Sequence, residues 1–219
     1  MNWKFADSYK NQGQRAQLVT SLRQKGIVDE GILHAIGKIP RHFFLDNAFE
    51  NFAYQDKPFP IGEGQTISQP FTVARQTELL EAEHEHKILE IGTGSGYQSA
   101  VLLELGLNLF SLEFQPKLHK NASFILKKLG YQAVLACKDG SLGWPEHAPF
   151  DRILVTAGAP VVPKSLMEQL KIGGKLVIPV GNESSQQMLR ITRISELEFV
   201  QEHLGNYAFV PLLGAQGWK

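Results

Sequence analysis

Cysteine is nearly missing from this chain. Cys137 is the only one in 219 residues, so no internal disulfide can form and a reducing compartment is expected. An excess of either charge is missing too. Lysine and arginine number 22, aspartate and glutamate 22, and the formal net charge is zero. A nucleic-acid partner is therefore not expected. No apolar run approaches the ~20 residues that span a bilayer, so no membrane partner is expected either. The start, MNWKFADSYKNQGQ, lacks the apolar centre of a signal peptide. A soluble, cytoplasmic protein is the expectation, with a monomer favoured. Repeats and low-complexity tracts are also lacking. What is present is a hydrophobic fraction of 43%, enough for a full core in a length that suits one α/β domain.

The first part of the chain reads as helical. Residues 16–39 suggest two short helices broken near Gly26, with Asp29 as an N-cap and Pro40 as a stop. Residues 41–71 show no sustained period but carry Phe43, Phe44, Phe49, Phe52, Tyr54, Phe59 and Phe71. They are read as a cap packed on a sheet, which can also wall a substrate site. Within them, IGEGQTISQP (61–70) has no apolar period at all and reads as a loop.

From Thr72, taken as a helix cap, helices and strands alternate. The expected strands are KILEIG, LFSLEF, AVLAC, DRILVTA and KLVIPVG. The expected helices are TVARQTELLEAE, YQSAVLLELG, PKLHKNASFILKKLG and PKSLMEQLKIGG. This pattern predicts βαβ units, hence a doubly wound, Rossmann-like α/β fold. Its sheet should be mainly parallel, with helices on both faces. QMLRITRI and YAFVPLL are expected as antiparallel C-terminal strands. The whole chain, 1–219, is read as one domain. Residues 1–71 form its helical cap and active-site loop, 72–181 its cofactor-binding core, and 182–219 its last strands and tail.

The most informative window is ILEIGTGSGYQSA. A strand ends at Glu90-Ile91-Gly92, and Gly92, Gly94 and Gly96 stand at alternate positions before a helix begins. Glycines there permit positive φ and let a ligand approach the backbone and the free N–H groups of a helix start. The dinucleotide fingerprint G-x-G-x-x-G fails in both registers, because Tyr97 or Ser99 stands where its third glycine belongs. A phosphate loop is excluded by the absence of lysine. The pattern is E-x-G-x-G-x-G. Its carboxylate, Glu90, would repel a pyrophosphate and attract an amino group or a sulfonium, both of which S-adenosylmethionine carries. Glu113 ends the next strand, 21 positions after Gly92, where an acid can grip ribose hydroxyls. Asp139-Gly140 lies beyond the third strand, where an acceptor can meet an adenine amino group; an ordinary Asp-Gly turn explains it nearly as well.

GEGQTISQP, LEIGTGSGYQSA, APFDRILVTAGAPVVPKSLMEQLKIGGKLVIPVG and FVPLLG, in that order and spacing, resemble the protein-L-isoaspartate O-methyltransferases over residues 18–214. The glycine loop alone would indicate only a class I methyltransferase; T-I-S-x-P is the specific part. The resemblance implies a class I methyltransferase fold. It implies transfer of a methyl group from S-adenosyl-L-methionine, with S-adenosyl-L-homocysteine as product. The acceptor would be the free carboxylate of L-isoaspartyl residues in damaged proteins and peptides, and the ester would close to a succinimide. By resemblance the active-site serine falls on Ser68. Cofactor contacts fall on Gln65, Thr66, Ile67 and Ser68, on Glu90, Gly92, Thr93, Gly94, Ser95 and Gly96, on Glu113, and on Asp139 and Gly140. The chain departs from the family at Lys138, where glycine is usual, and at Leu213, where some members have threonine. The alternative reading is another class I methyltransferase acting on a small-molecule carboxylate.

The chemistry needs few special groups. A carboxylate with a pKa near ~4 is already ionised at neutral pH, and the sulfonium leaving group departs neutral. Alignment is the main requirement, and can supply roughly 7–11 kcal/mol. Ser68 is expected to hold one carboxylate oxygen as a hydroxyl donor, not to act as a covalent nucleophile, since no G-x-S-x-G surrounds it. No metal is expected: His84 and His86 read as solvated surface. Cys137 reads as a small core residue.

Overall fold

A computed structural model describes residues 5–218. The amino-terminal stretch read for a signal peptide and the tail both run past these limits, and residues 1–4 and 219 lie outside the described residues. Helix α1 spans Tyr9–Gln24 and starts well before residue 16. The Ser8 hydroxyl caps it by accepting from the Asn11 N–H at 3.2 Å. Its buried positions are Asn11, Arg15, Leu18 and Leu22. Two of these are polar, which hides the helical period in the sequence. Helix α2, Glu30–Lys38, is capped by the expected Asp29, whose carboxylate accepts from the Ile32 N–H at 3.0 Å. Two 3-10 turns, Arg41–Phe44 and Asn47–Phe52, follow.

The segment read as a loop is a β-hairpin. Strand β1, Phe59–Gly62, pairs antiparallel with β2, Gln65–Ile67. The turn between them places Gly62, Glu63 and Gly64 at φ of 92°, 52° and 68°, which explains the two glycines. Helix α3, Pro70–Leu80, begins two residues before Thr72, because Pro70 supplies the preset φ of a first helical position.

The remaining elements alternate as expected: β3 (Lys87–Ile91), α4 (Tyr97–Glu104), β4 (Asn108–Glu113), α5 (Pro116–Lys128), β5 (Val134–Cys137) and β6 (Phe150–Val155). Helix α6 is cut to Lys164–Glu168, because β7 already pairs with β6 from Leu170 and runs to Gly181. Strands β8, Gln186–Arg193, and β9, Phe199–Tyr207, close the sheet. The last strand is therefore FVQEHLGNY, not YAFVPLL. It is a solvated edge carrying Gln201, Glu202 and His203, so it has no clean apolar alternation. Residues 210–212 instead cross the end of β6, where the Gly158 N–H donates to the Val210 carbonyl at 2.8 Å.

Seven strands form one sheet in the order β5-β4-β3-β6-β7-β8-β9, parallel up to β7 and antiparallel beyond. Helices α3, α4 and α5 cover one face. Helix α6 and the 3-10 turns near Trp144 cover the other. Along β3, Leu89 and Ile91 enter the core beside α6, while Ile88 and Glu90 face α3 and α4. The chain winds one way from β3 to β5 and the other way from β6 onward, so a crevice opens at the carboxyl ends of β3 and β6. Cys137 is exposed, a correction to its expected burial: β5 is an edge strand and its end is uncovered. Among the described residues no helix is long and apolar enough to cross a membrane.

Candidate active site

A cleft with about 750 Å³ of empty space lies at that crevice. Its floor is the loop after β3. Gly92 takes φ of 96°, and a Cβ there would lie 2.5 Å from the Thr156 hydroxyl oxygen. That hydroxyl donates to the Gly92 carbonyl at 2.7 Å, which pins the loop to the end of β6. Gly94, at φ of 54°, donates its N–H to the Glu113 carboxylate at 2.7 Å. The other carboxylate oxygen accepts from the Gln115 N–H at 2.9 Å. Each oxygen keeps a free lone pair, so Glu113 can still accept from a ligand.

The cleft brings together Gln65, Thr66, Ile67 and Ser68 from the hairpin, Gly92, Thr93, Gly94 and Ser95 from the loop, Glu113, and Gly140. These segments are far apart in sequence. Ser68 follows β2 directly and stands on the wall shared with a second, open groove. That groove, with about 1190 Å³ of empty space, continues past Phe71, Thr156 and Val210 to Tyr207 and Phe209. Its walls come from the cap, the start of α3, the β7–β8 turn, and the end of β9 with the chain after it.

Three of the expected residues stand behind the cleft. Glu90 is fully buried, and its carboxylate accepts from the Ser99 and Ser111 hydroxyls at 2.5 and 2.6 Å. Burial pushes its pKa up to about 7, against the pull of the two serines. Its other oxygen has no partner. Ser111 also bonds the Thr93 hydroxyl at 2.7 Å, so a buried chain of hydroxyls connects Glu90 to the loop. Gly96, at φ of 88° at the start of α4, packs its Cα side on Ala122 and Leu126 of α5. The Asp139 carboxylate is held by the Ser141 N–H and hydroxyl at 2.9 and 2.6 Å and by the Ala215 N–H at 2.7 Å. The tail thus braces the turn that carries Gly140.

Several lining residues are not among the expected contacts. Tyr97, Phe114, Thr156 and Val210–Leu213 all face the cleft. Phe114 is 46% exposed directly after Glu113, so its place was readable from the end of β4. Leu213, which departs from the family's pattern, is among them. Nothing in the sequence brings Thr156 to Gly92 until β3 and β6 are known to be neighbours. Among the described residues no group of three or more His, Cys, Asp or Glu could hold a metal.

A model of the family described as protein-L-isoaspartate(D-aspartate) O-methyltransferase (PCMT) matches residues 13–217. The chain belongs to this family. Two relatives named protein-L-isoaspartate O-methyltransferase bear on it. That of Cytophaga hutchinsonii is 57% identical over 213 residues, 97% of this chain and 96% of that protein. That of Flavobacterium psychrophilum is 60% identical over 208 residues, 94% and 97%. A solved protein-L-isoaspartate O-methyltransferase superposes with a TM-score of 0.83 at 29% identity, over 92% of this chain and 66% of that one. The beta-aspartate methyltransferase (PCMT) from Plasmodium falciparum in complex with S-adenosyl-L-homocysteine shares the fold, with a TM-score of 0.78 at 23% identity, over 91% and 98%.

Proposed function

We propose that the chain transfers the methyl group of S-adenosyl-L-methionine to the free carboxylate of L-isoaspartyl residues in proteins and peptides, acting on cytoplasmic substrates. The observation that carries this reading is the position of Ser68 on the wall shared by the glycine-loop cleft and the neighbouring groove. A small donor in the cleft can meet an acceptor chain lying in the groove at this shared wall, where Ser68 is a hydroxyl carried by the hairpin segment. The whole chain is taken to work as one methyltransferase domain.

The cleft fits the cofactor. The glycine loop, the hairpin and the end of β4 line one cleft, and the loop's backbone at Gly92–Ser95 faces it. Glu113 keeps acceptor capacity for the ribose hydroxyls. The Gly92–Ser95 backbone would hold the amino-acid part, and Gly140 with the turn of Asp139 the adenine. Phe114 offers an exposed ring beside them. S-adenosyl-L-methionine supplies a methyl group on a cationic sulfur, whose departure needs no proton.

The protein's own task is orientation. The Ser68 hydroxyl donates to one oxygen of the acceptor carboxylate, leaving the other free to attack. Thr66, Thr156 and Val210 border both spaces and restrict water at the meeting point. Glu90 serves the loop from below through Ser111 and Thr93. The second reading, a small-molecule carboxylate as acceptor, fits the open groove less well, because such a ligand needs no channel running on to Tyr207.

Mass spectrometry tests the proposal. Incubated with the chain and S-adenosyl-L-methionine, an L-isoaspartyl peptide should gain one methyl group and then lose methanol as the succinimide forms. A methylated peptide that never passes to succinimide would place the methyl elsewhere.

A further inference from the structure

Arg41 is among the largest fully buried side chains of the described residues, and nothing in the reaction described above uses it. It opens the first 3-10 turn of the cap. Its Nε donates to the Ala53 carbonyl at 2.9 Å, and its Nη2 donates to the Ser68 carbonyl at 2.9 Å. The guanidinium also lies over the Tyr97 ring, 4.7 Å from its centroid, and Tyr97 lines the cofactor cleft. Burial lowers its pKa to about 10, so it remains charged at neutral pH. The carboxylate whose charge acts on it, Asp56, is bonded elsewhere: to the Phe71 N–H at 2.8 Å, the Gln69 amide at 3.1 Å and Lys25 at 2.5 Å.

The segment these groups hold is the short link between β2 and α3. Ser68 and Gln69 belong to neither element, and Pro70 has no N–H to donate. Regular hydrogen bonding therefore does not fix Ser68. Arg41 of the cap holds its carbonyl instead, while Asp56 ties down the residues that follow, through the Gln69 amide and the Phe71 N–H. A buried cation that is spent on backbone carbonyls is costly, and a fold that only needed a filled core would be served by an apolar side chain.

We propose that Arg41 is the positioning residue of the acceptor site: its fork ties the Ser68 carbonyl to the cap at Ala53, and so aims the Ser68 hydroxyl at the incoming carboxylate. The proposal rests on the isoaspartyl reading of the site. Arg41 touches neither substrate nor cofactor. It acts through one residue, and removing it should matter only while that residue has a hydroxyl to aim.

A double-mutant cycle tests this. Turnover of an L-isoaspartyl peptide and affinity for S-adenosyl-L-homocysteine are measured for the wild type, Arg41→Met, Ser68→Ala and the double variant. Arg41→Met should lower kcat by about tenfold or more when Ser68 is present and by less than about twofold when it is absent. Affinity for S-adenosyl-L-homocysteine should stay within about threefold throughout. Arg41→Lys, which keeps the charge but not the two-carbonyl fork, should fall between wild type and Arg41→Met. If Arg41→Met yields no folded protein, Arg41→Lys carries the cycle, with a smaller loss that again requires Ser68. Equal losses in both backgrounds, or product affinity falling in step with turnover, would overturn the proposal. A wild type that does not methylate the peptide would remove the reading beneath it as well; an active wild type with an additive cycle removes only the role of Arg41.

Discussion

The proposed reading gives Ser68 to the acceptor and Glu113 to the donor, so substitutions at the two should separate. Ser68→Ala is expected to lower kcat on an L-isoaspartyl peptide by about a hundredfold, with product affinity changed by less than about threefold. Glu113→Gln should do the reverse, weakening S-adenosyl-L-homocysteine binding by about tenfold or more as seen by calorimetry. Glu90 makes a pH prediction. Its folded pKa, about 7, lies above the unfolded value, so the native state holds a proton that the unfolded chain gives up. Its contribution is complete below the unfolded pKa and is lost as pH rises through about 7. Unfolding of wild type and Glu90→Gln at pH 5 and pH 8 should show the difference shifting in the variant's favour by on the order of 3 kcal/mol. The sequence placed Glu90 beside the ligand because it precedes the glycines. Strand alternation turns it instead towards α4, where Ser99 and Ser111 meet it, and their convergence from separate elements leaves no local signal.

At the scale of elements, the loop after β3 was readable because its strand, its glycines and its helix are contiguous. Gly92→Ala should strain this loop twice, through its φ of 96° and through contact with Thr156. A loss of about 1–3 kcal/mol of stability is expected, with weaker product binding, both followed by denaturant titration with and without ligand. The hairpin was harder to read. Strands of four and three residues with a tight turn carry no apolar period, so IGEGQTISQP resembled a linker. Its significance came from the resemblance to the family, and its geometry only from the structure. The amino-terminal half of α1 was obscured by buried Asn11 and Arg15, whose partners, His42 and Asp7 with Gly37, lie on other segments. Strand β9 was missed because a solvated edge needs no apolar face.

For the whole molecule, the order of strands does what no single motif can. It brings the ends of β3, β4, β5 and β6 to one edge, and the cap and the crossing at residues 210–212 close over it. If the chain works as one domain, heating should give a single transition. S-adenosyl-L-homocysteine at about a hundred times its Kd adds ~2.7 kcal/mol, which should raise Tm by roughly 5–10 °C. Two resolved transitions, with only one moved by ligand, would argue for separate units. The central claim concerns the acceptor. Two peptides of one sequence, differing only in whether a single residue is L-isoaspartate or L-aspartate, are offered with labelled S-adenosyl-L-methionine. The account predicts base-labile label on the L-isoaspartyl peptide alone; equal labelling of both, or label on neither while the cofactor binds, would contradict it.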